Sequence, residues 1–146
     1  MANCTNIGIT GPSIPLAPNP IPPNVPCVLA GFVQSFAGQT AKVMDGATVL
    51  AQISAPAVPT PNVRPMLPAS GPIATFKSPA NPANLTVQIT NTGAQKSQVV
   101  TAYETVTWGT RVFTGQWTFA VDDSASGGDC DFNDAVITLT WTASIG

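Results

Sequence analysis

The sequence contains no histidine. That removes the commonest acid–base side chain, the Ser-His-Asp arrangement and all His-ligated zinc sites. Charge is almost as scarce: 8% of the residues are Asp, Glu, Lys or Arg, against about 25% in an ordinary domain. The five basic residues, Lys42, Arg64, Lys77, Lys96 and Arg111, are scattered. No basic stripe exists for a phosphate backbone, so nucleic acid is not an expected partner. There is no run of about 18 apolar residues, so membrane insertion is not expected either. The first residues lack the basic stretch and apolar run of a signal peptide. The expectation is a protein made in the cytoplasm and secreted or held at the cell surface by another route. Three cysteines are too few for a disulfide framework. Cys4 and Cys27 could pair or remain free thiols. Cys130 lies in an acidic segment without the soft partners that zinc favours.

What is present points to one all-β domain. Hydrophobic residues make up 44% of 146, enough to form a core. Seven of the 15 prolines fall in residues 1–26, which read as an extended N-terminal arm. Eight more fall in residues 55–82, predicting a long irregular excursion with a short edge strand near residues 73–76. The remaining segments read as strands, over residues 27–36, 39–44, 47–53, 85–90, 98–108, 111–121 and 135–141. Asp45-Gly46 predicts a two-residue type I′ hairpin. Gly109 marks a second turn. In the last strand Ile137, Leu139 and Trp141 share one face. Trp108, Trp117 and Trp141 sit within strands and are assigned to the core. No helical stripe exceeds one turn. The predicted architecture is an antiparallel β-sandwich of about nine strands, Greek-key in type, over residues 27–146.

The chemistry concentrates in one loop. Of seven acidic residues, five (Asp122, Asp123, Asp129, Asp131 and Asp134) fall between positions 122 and 134, with no Lys or Arg among them. Carboxylates this close repel, and a cation relieves that repulsion. Calcium takes six to eight oxygen ligands at roughly 2.3–2.6 Å, and Asp129-Cys-Asp131-Phe-Asn133-Asp134 offers oxygen donors at alternate positions and one more. Ser124-Ala-Ser-Gly-Gly128 gives the chain freedom to wrap. An EF-hand begins with the same spacing but requires Gly at its sixth position and Glu at its twelfth. Those positions hold Asp134 and Thr140, and a strand follows instead of a helix. A calcium site between strands of a sandwich is therefore expected.

The stretch Asp129-Cys-Asp-Phe-Asn-Asp-Ala-Val-Ile-Thr-Leu-Thr-Trp141, closing at Gly146, resembles the bacterial calcium-mediated lectins of the fucose- and mannose-binding lectin II type. Ile21-Pro-Pro-Asn24 and Phe32–Thr40 resemble the family's early turn and first calcium-site loop. The resemblance covers roughly residues 21–146, with 55–82 as an insertion. It implies two adjacent Ca²⁺ ions per subunit, coordinated directly by sugar hydroxyls. It makes Gln34, Asp122, Asp129, Asp131, Asn133 and Asp134 metal ligands, with Asp131 and Asp134 bridging the ions. Gly146 would give its terminal carboxylate to a partner subunit, so a homodimer or larger assembly is implied. Ser35, Phe36, Gly38 and Asp123 would meet the carbohydrate. Gln34 stands where the family has Asn, and Asp122 where it has Glu. Phe36 could stack on a sugar or be a core residue.

Three functions are weighed. The first is a non-enzymatic, calcium-dependent lectin for fucose- or mannose-type sugars, with multivalency raising its avidity. The second is a calcium-rigidified structural or adhesion sandwich without sugar. A calcium-dependent hydrolase would need an acid and a base outside the metal ligands, and only Asp45 and Glu104 remain.

Overall fold

The computed structural model describes residues 9–10, 13–93, 97–123 and 131–143. Its strands in chain order are β1 (Ile9–Thr10), β2 (Ser13–Pro15), β3 (Pro26–Val33), β4 (Gln39–Asp45), β5 (Thr48–Ala55), β6 (Arg64–Pro65), β7 (Ala74–Lys77), β8 (Leu85–Asn91), β9 (Gln98–Trp108), β10 (Arg111–Asp122) and β11 (Ala135–Thr142). Nine of them exceed two residues, β1 and β6 being the exceptions. The only helix among the described residues is the 3₁₀ turn Pro82–Asn84. The strands form two antiparallel sheets, one in the order β1-β9-β10-β11-β3-β6 with β7 also on β3, the other β2-β8-β4-β5.

Period-two patterning drives the assembly, because alternate side chains of a strand face opposite sides. In β11, Ala135, Ile137, Leu139 and Trp141 are buried while the residues between them are half-buried. Opposite them, Ala41 and Val43 of β4 and Val87 and Ile89 of β8 close the same core. β11 lies between β10 and β3, its pairs running from Val121↔Ala135 and Ala135↔Val33 at one end to Gly115↔Trp141 and Trp141↔Cys27 at the other. This register fixes where the acidic loop sits. The turn from Asp134 into Ala135 lies beside the end of β10 and the end of β3.

The arm is not separate from the sandwich. β2 pairs with β8 through Ile14↔Val87, and Ile14, Leu16, Ile21 and Val25 are core residues. Burying four aliphatic side chains contributes several kcal/mol, at roughly 1.5–3 kcal/mol each. The indole N–H of Trp117 donates to the Asn19 carbonyl at 3.1 Å, tying the arm to β10.

The excursion at 55–82 likewise wraps the sandwich. β6 and β7 both pair with β3. Ser54 and Leu67 exchange two main-chain hydrogen bonds of 2.9 Å, and Met66 is buried. The segment thus runs from the edge of one sheet to the edge of the other and covers backbone groups that would otherwise be exposed.

Two local expectations are corrected. The loop residues of the β4–β5 hairpin are Gly46 and Ala47, since Asp45 pairs with Thr48. Only Gly46 has positive φ (+56°), the sign pattern of a type II′ turn rather than type I′. Trp117 and Trp141 are core residues, but Trp108 is 82% exposed at the tip of the β9–β10 hairpin, because that hairpin outruns the sheet facing it. Cys27 is a buried free thiol, pushed up to about 11 chiefly by desolvation. Cys4, its suggested partner, lies outside the described residues.

Candidate sugar and calcium site

The site is built where β3, β10 and β11 end together. Asp134 is its hub. Its N–H donates to the Val121 carbonyl at 3.1 Å, which keeps it on β10. Its carbonyl accepts from the N–H groups of Gln34 (2.8 Å) and Ser35 (3.4 Å), which brings in the loop after β3. Its Oδ2 accepts the N–H of Asp123 at 2.8 Å. Three chain segments thus meet on one residue. The Gln34 side chain adds a fourth tie, its amide Nε2 donating to the Asn133 carbonyl at 3.0 Å.

A surface hollow of about 430 Å³ opens here, lined by Gln34, Ser35, Phe36, Ala37, Pro61, Asp123, Asp131, Asn133 and Asp134. The side-chain oxygens of Asp131 and Asn133 are accessible because both residues are exposed. The intervening Phe132 holds φ at +51°, a conformation costly for a bulky residue and common in functional loops. The Asp131 carboxylate accepts the Asn133 N–H at 3.2 Å, bracing that turn.

Electrostatics show what the hollow lacks. The Asp134 carboxyl is raised to about 6, first by desolvation and then by Asp123, Asp122 and Asp131, against a lowering from the Asp123 N–H. No basic group figures among these causes. Gln98 and Asp122 are directly opposed across β9 and β10, so their side chains share a face. Asp122 is fully buried and Gln98 is 2% exposed. Among the described residues no donor meets the buried Gln98 Oε1, an arrangement that a cation or its hydration water resolves. Hard, uncompensated oxygen donors suit calcium. Among the described residues no three acidic or thiol groups converge tightly enough to hold an ion alone. Asp129 and Gly146, both assigned as ligands from the sequence, lie outside the described residues.

The remaining sequence assignments fall as follows. Gln34, Ser35, Phe36, Asp123, Asp131, Asn133 and Asp134 gather in the hollow. Asp122 sits below it, at the end of β10, and is not part of its lining. Gly38, expected at the sugar, is instead buried beneath the loop. A Cβ there would lie 2.8 Å from the Ala57 nitrogen and 2.9 Å from the Ala55 carbonyl. Gly38 and Thr92 exchange hydrogen bonds of 2.9 Å, so the glycine anchors the loop through close backbone approach. Phe36 is 58% exposed and is no core residue. Ser35 is 8% exposed, its hydroxyl donating to the Ala37 carbonyl at 3.3 Å.

Sequence reasoning missed Arg64. Its guanidinium donates to the carbonyls of Ser35 (2.8 Å), Ala37 (2.9 Å), Pro56 (3.1 Å) and Asn62 (3.2 Å). It also missed Pro61, which lines the hollow, and Gln98. A lone Arg amid prolines in a charge-poor chain was the available signal for the first two.

The family model of fucose-binding lectin II (PA-IIL) matches residues 19–143. Three solved structures share the fold. Chromobacterium violaceum lectin CV2L in complex with α-methyl-fucoside is 21% identical, with a TM-score of 0.54 over 87% of this chain and 95% of its own. The C-terminal domain of the BC2L-C lectin from Burkholderia cenocepacia is 14% identical, with a TM-score of 0.57 over 94% and 100%. The Ralstonia solanacearum high-affinity mannose-binding lectin is 16% identical, with a TM-score of 0.54 over 87% and 95%. No curated protein sequence matches the chain.

Proposed function

The chain belongs to the fucose-binding lectin II family, a carbohydrate-binding protein and not an enzyme, and from that premise we propose that it holds its sugar through calcium. The observation that carries this reading is the hollow itself. It joins the Gln34–Ala37 loop to Asp123, Asp131, Asn133 and Asp134, residues that the sequence separates widely, around carboxylates with no basic partner among the causes that raise Asp134.

In this proposal Asp131 and Asp134 would hold two Ca²⁺ ions together with Gln34, Asp122, Asp129 and Asn133 and with Gly146 of a second copy, so the working unit would be a homodimer or larger. The ions would supply coordination to vicinal hydroxyls of a fucose- or mannose-type sugar. Metal coordination suits such a ligand because a sugar offers little apolar area, and a shallow polar site gains little from burial alone. Asp123 and Ser35 orient the ring, and Phe36 covers its apolar face. One similar lectin is held in complex with α-methyl-fucoside and another is a high-affinity mannose-binding lectin, which supports this sugar class. A site on the outside of a cell accords with the low charge.

Calorimetric titration of fucose and mannose, with saturating calcium and with a chelator, tests the reading. Binding that appears only with calcium is expected. If calcium raises the Tm while neither sugar binds, the ion is structural and the sandwich serves adhesion or assembly.

A further inference from the structure

We propose that the hollow has a second, apolar subsite, formed by Phe36 and Pro61, for the group attached to the anomeric carbon of the calcium-held sugar, and that Arg64 positions it. This rests on the lectin reading above. The lining of the hollow of about 430 Å³ is of two kinds: the polar Asp123, Asp131, Asn133 and Asp134, and the apolar Phe36, Ala37 and Pro61. An anomeric substituent is often a second pyranose or an aryl ring. Either one presents a flat C–H or π face, the partner that a Phe ring and a Pro ring accept.

The apolar side is contributed by two separate segments, and the structure shows what joins them. The Val58 N–H donates to the Phe36 carbonyl at 2.9 Å. The Arg64 fork then binds Ser35 and Ala37 on either side of Phe36, and Pro56 and Asn62 on either side of the Val58–Pro61 bend. Four carbonyls from two loops share one planar donor group, which only the rigid guanidinium can serve at once. Proline rings at 56, 59 and 61 restrict the bend further. Phe36 stays 58% exposed although every neighbouring carbonyl is fastened, so the ring is held toward solvent beside the carboxylates. Arg64 touches no sugar in this arrangement and is a positioning residue.

The test compares methyl and phenyl α-fucosides, methyl and phenyl α-mannosides, and an α-fucosyl-N-acetylglucosamine disaccharide, all titrated in saturating calcium. The native protein is expected to bind at least one extended ligand roughly fivefold more tightly than the methyl glycoside, the gain of about one ring contact. Preference for the disaccharide assigns the subsite to a second sugar, and preference for the phenyl glycosides alone assigns it to an apolar aglycone. Pro61→Gly should bring the ratio to about one while leaving methyl glycosides bound, and Phe36→Ala should also bring it to about one, with every glycoside, methyl included, held more weakly. Arg64→Gln should lose the ratio yet keep the calcium-induced rise in Tm, and Arg64→Lys should restore little of it. Methyl glycosides that bind with a native ratio of one overturn the subsite and leave the lectin reading intact. A ratio that survives Phe36→Ala, Pro61→Gly and Arg64→Gln overturns it too. If no glycoside binds, both readings fall.

Discussion

Two stretches of chain frame the hollow, and they are held in opposite ways. The Asp131–Ala135 turn is fixed at its Ala135 end by strand pairing and at Asp134 by one hub residue, while its carboxylates repel each other. The 56–64 bend has almost no strand pairing, yet two of its carbonyls, Pro56 and Asn62, are satisfied by a single guanidinium. One side is incomplete without a ligand, and the other is complete without one. A binding site built this way stores its affinity in the unsatisfied side and its shape in the satisfied side. The difference gives opposite expectations for mutation.

Asp134→Asn should separate affinity from stability. An amide oxygen can still accept the Asp123 N–H, but one negative charge leaves the cluster. Calcium affinity should drop by about a hundredfold or more, as for loss of a metal's charged partner. The metal-free protein should melt higher than the native one, because like-charge repulsion is relieved. Thermal unfolding with and without calcium reads both effects. A variant destabilised in both states would mean that Asp134 serves only as a structural hub.

Arg64→Ala should do the reverse. Four carbonyls lose their donor, and those shielded from water carry a desolvation penalty of about 1–3 kcal/mol in total. Metal-free stability should fall by that amount in urea, while calcium affinity changes little. A large loss of calcium affinity would show that the bend also supports the metal side, which would erase the distinction between the two stretches.

How far the sequence anticipated these two regions follows from their physics. The acidic turn is a local pattern, with oxygen donors at alternate positions followed by an alternating strand, so Asp131, Asn133, Asp134 and the buried face of β11 were readable from spacing alone. The excursion has no period. Proline removes donors and fixes φ, but it says nothing about which distant carbonyls will meet. Arg64 reaches Ser35 and Ala37 through a fold-level encounter that no local pattern encodes. The close packing of Gly38 was illegible for the same reason, since its near neighbour Ala57 belongs to the excursion. Trp108 was misassigned because strand patterning cannot tell that a hairpin extends past its facing sheet. Which surface the arm packs on was illegible because its prolines hide the Ile14, Leu16, Ile21 and Val25 anchors.

The smallest effect concerns pH and isolates the unsatisfied side. The Asp134 carboxyl lies at about 6 in the folded chain, above the roughly 3.9 of an unfolded Asp. The folded state therefore binds a proton more readily than the unfolded state across that window, and linkage makes stability fall as pH rises through it. In the metal-free protein this contribution is fully present below about pH 4 and is lost by pH 7. Calcium reverses the trend, because the ion requires the ionised carboxylate and competes with the proton. Tm measured between pH 4 and 7 should slope downward with a chelator and upward with saturating calcium, and Asp134→Asn should flatten this component in both series. The Arg64 side has no group titrating in this range, so Arg64→Ala should shift both curves down without changing either slope. Parallel slopes with and without calcium in the native protein would mean that the ion does not meet Asp134, which would place the metal elsewhere in the loop.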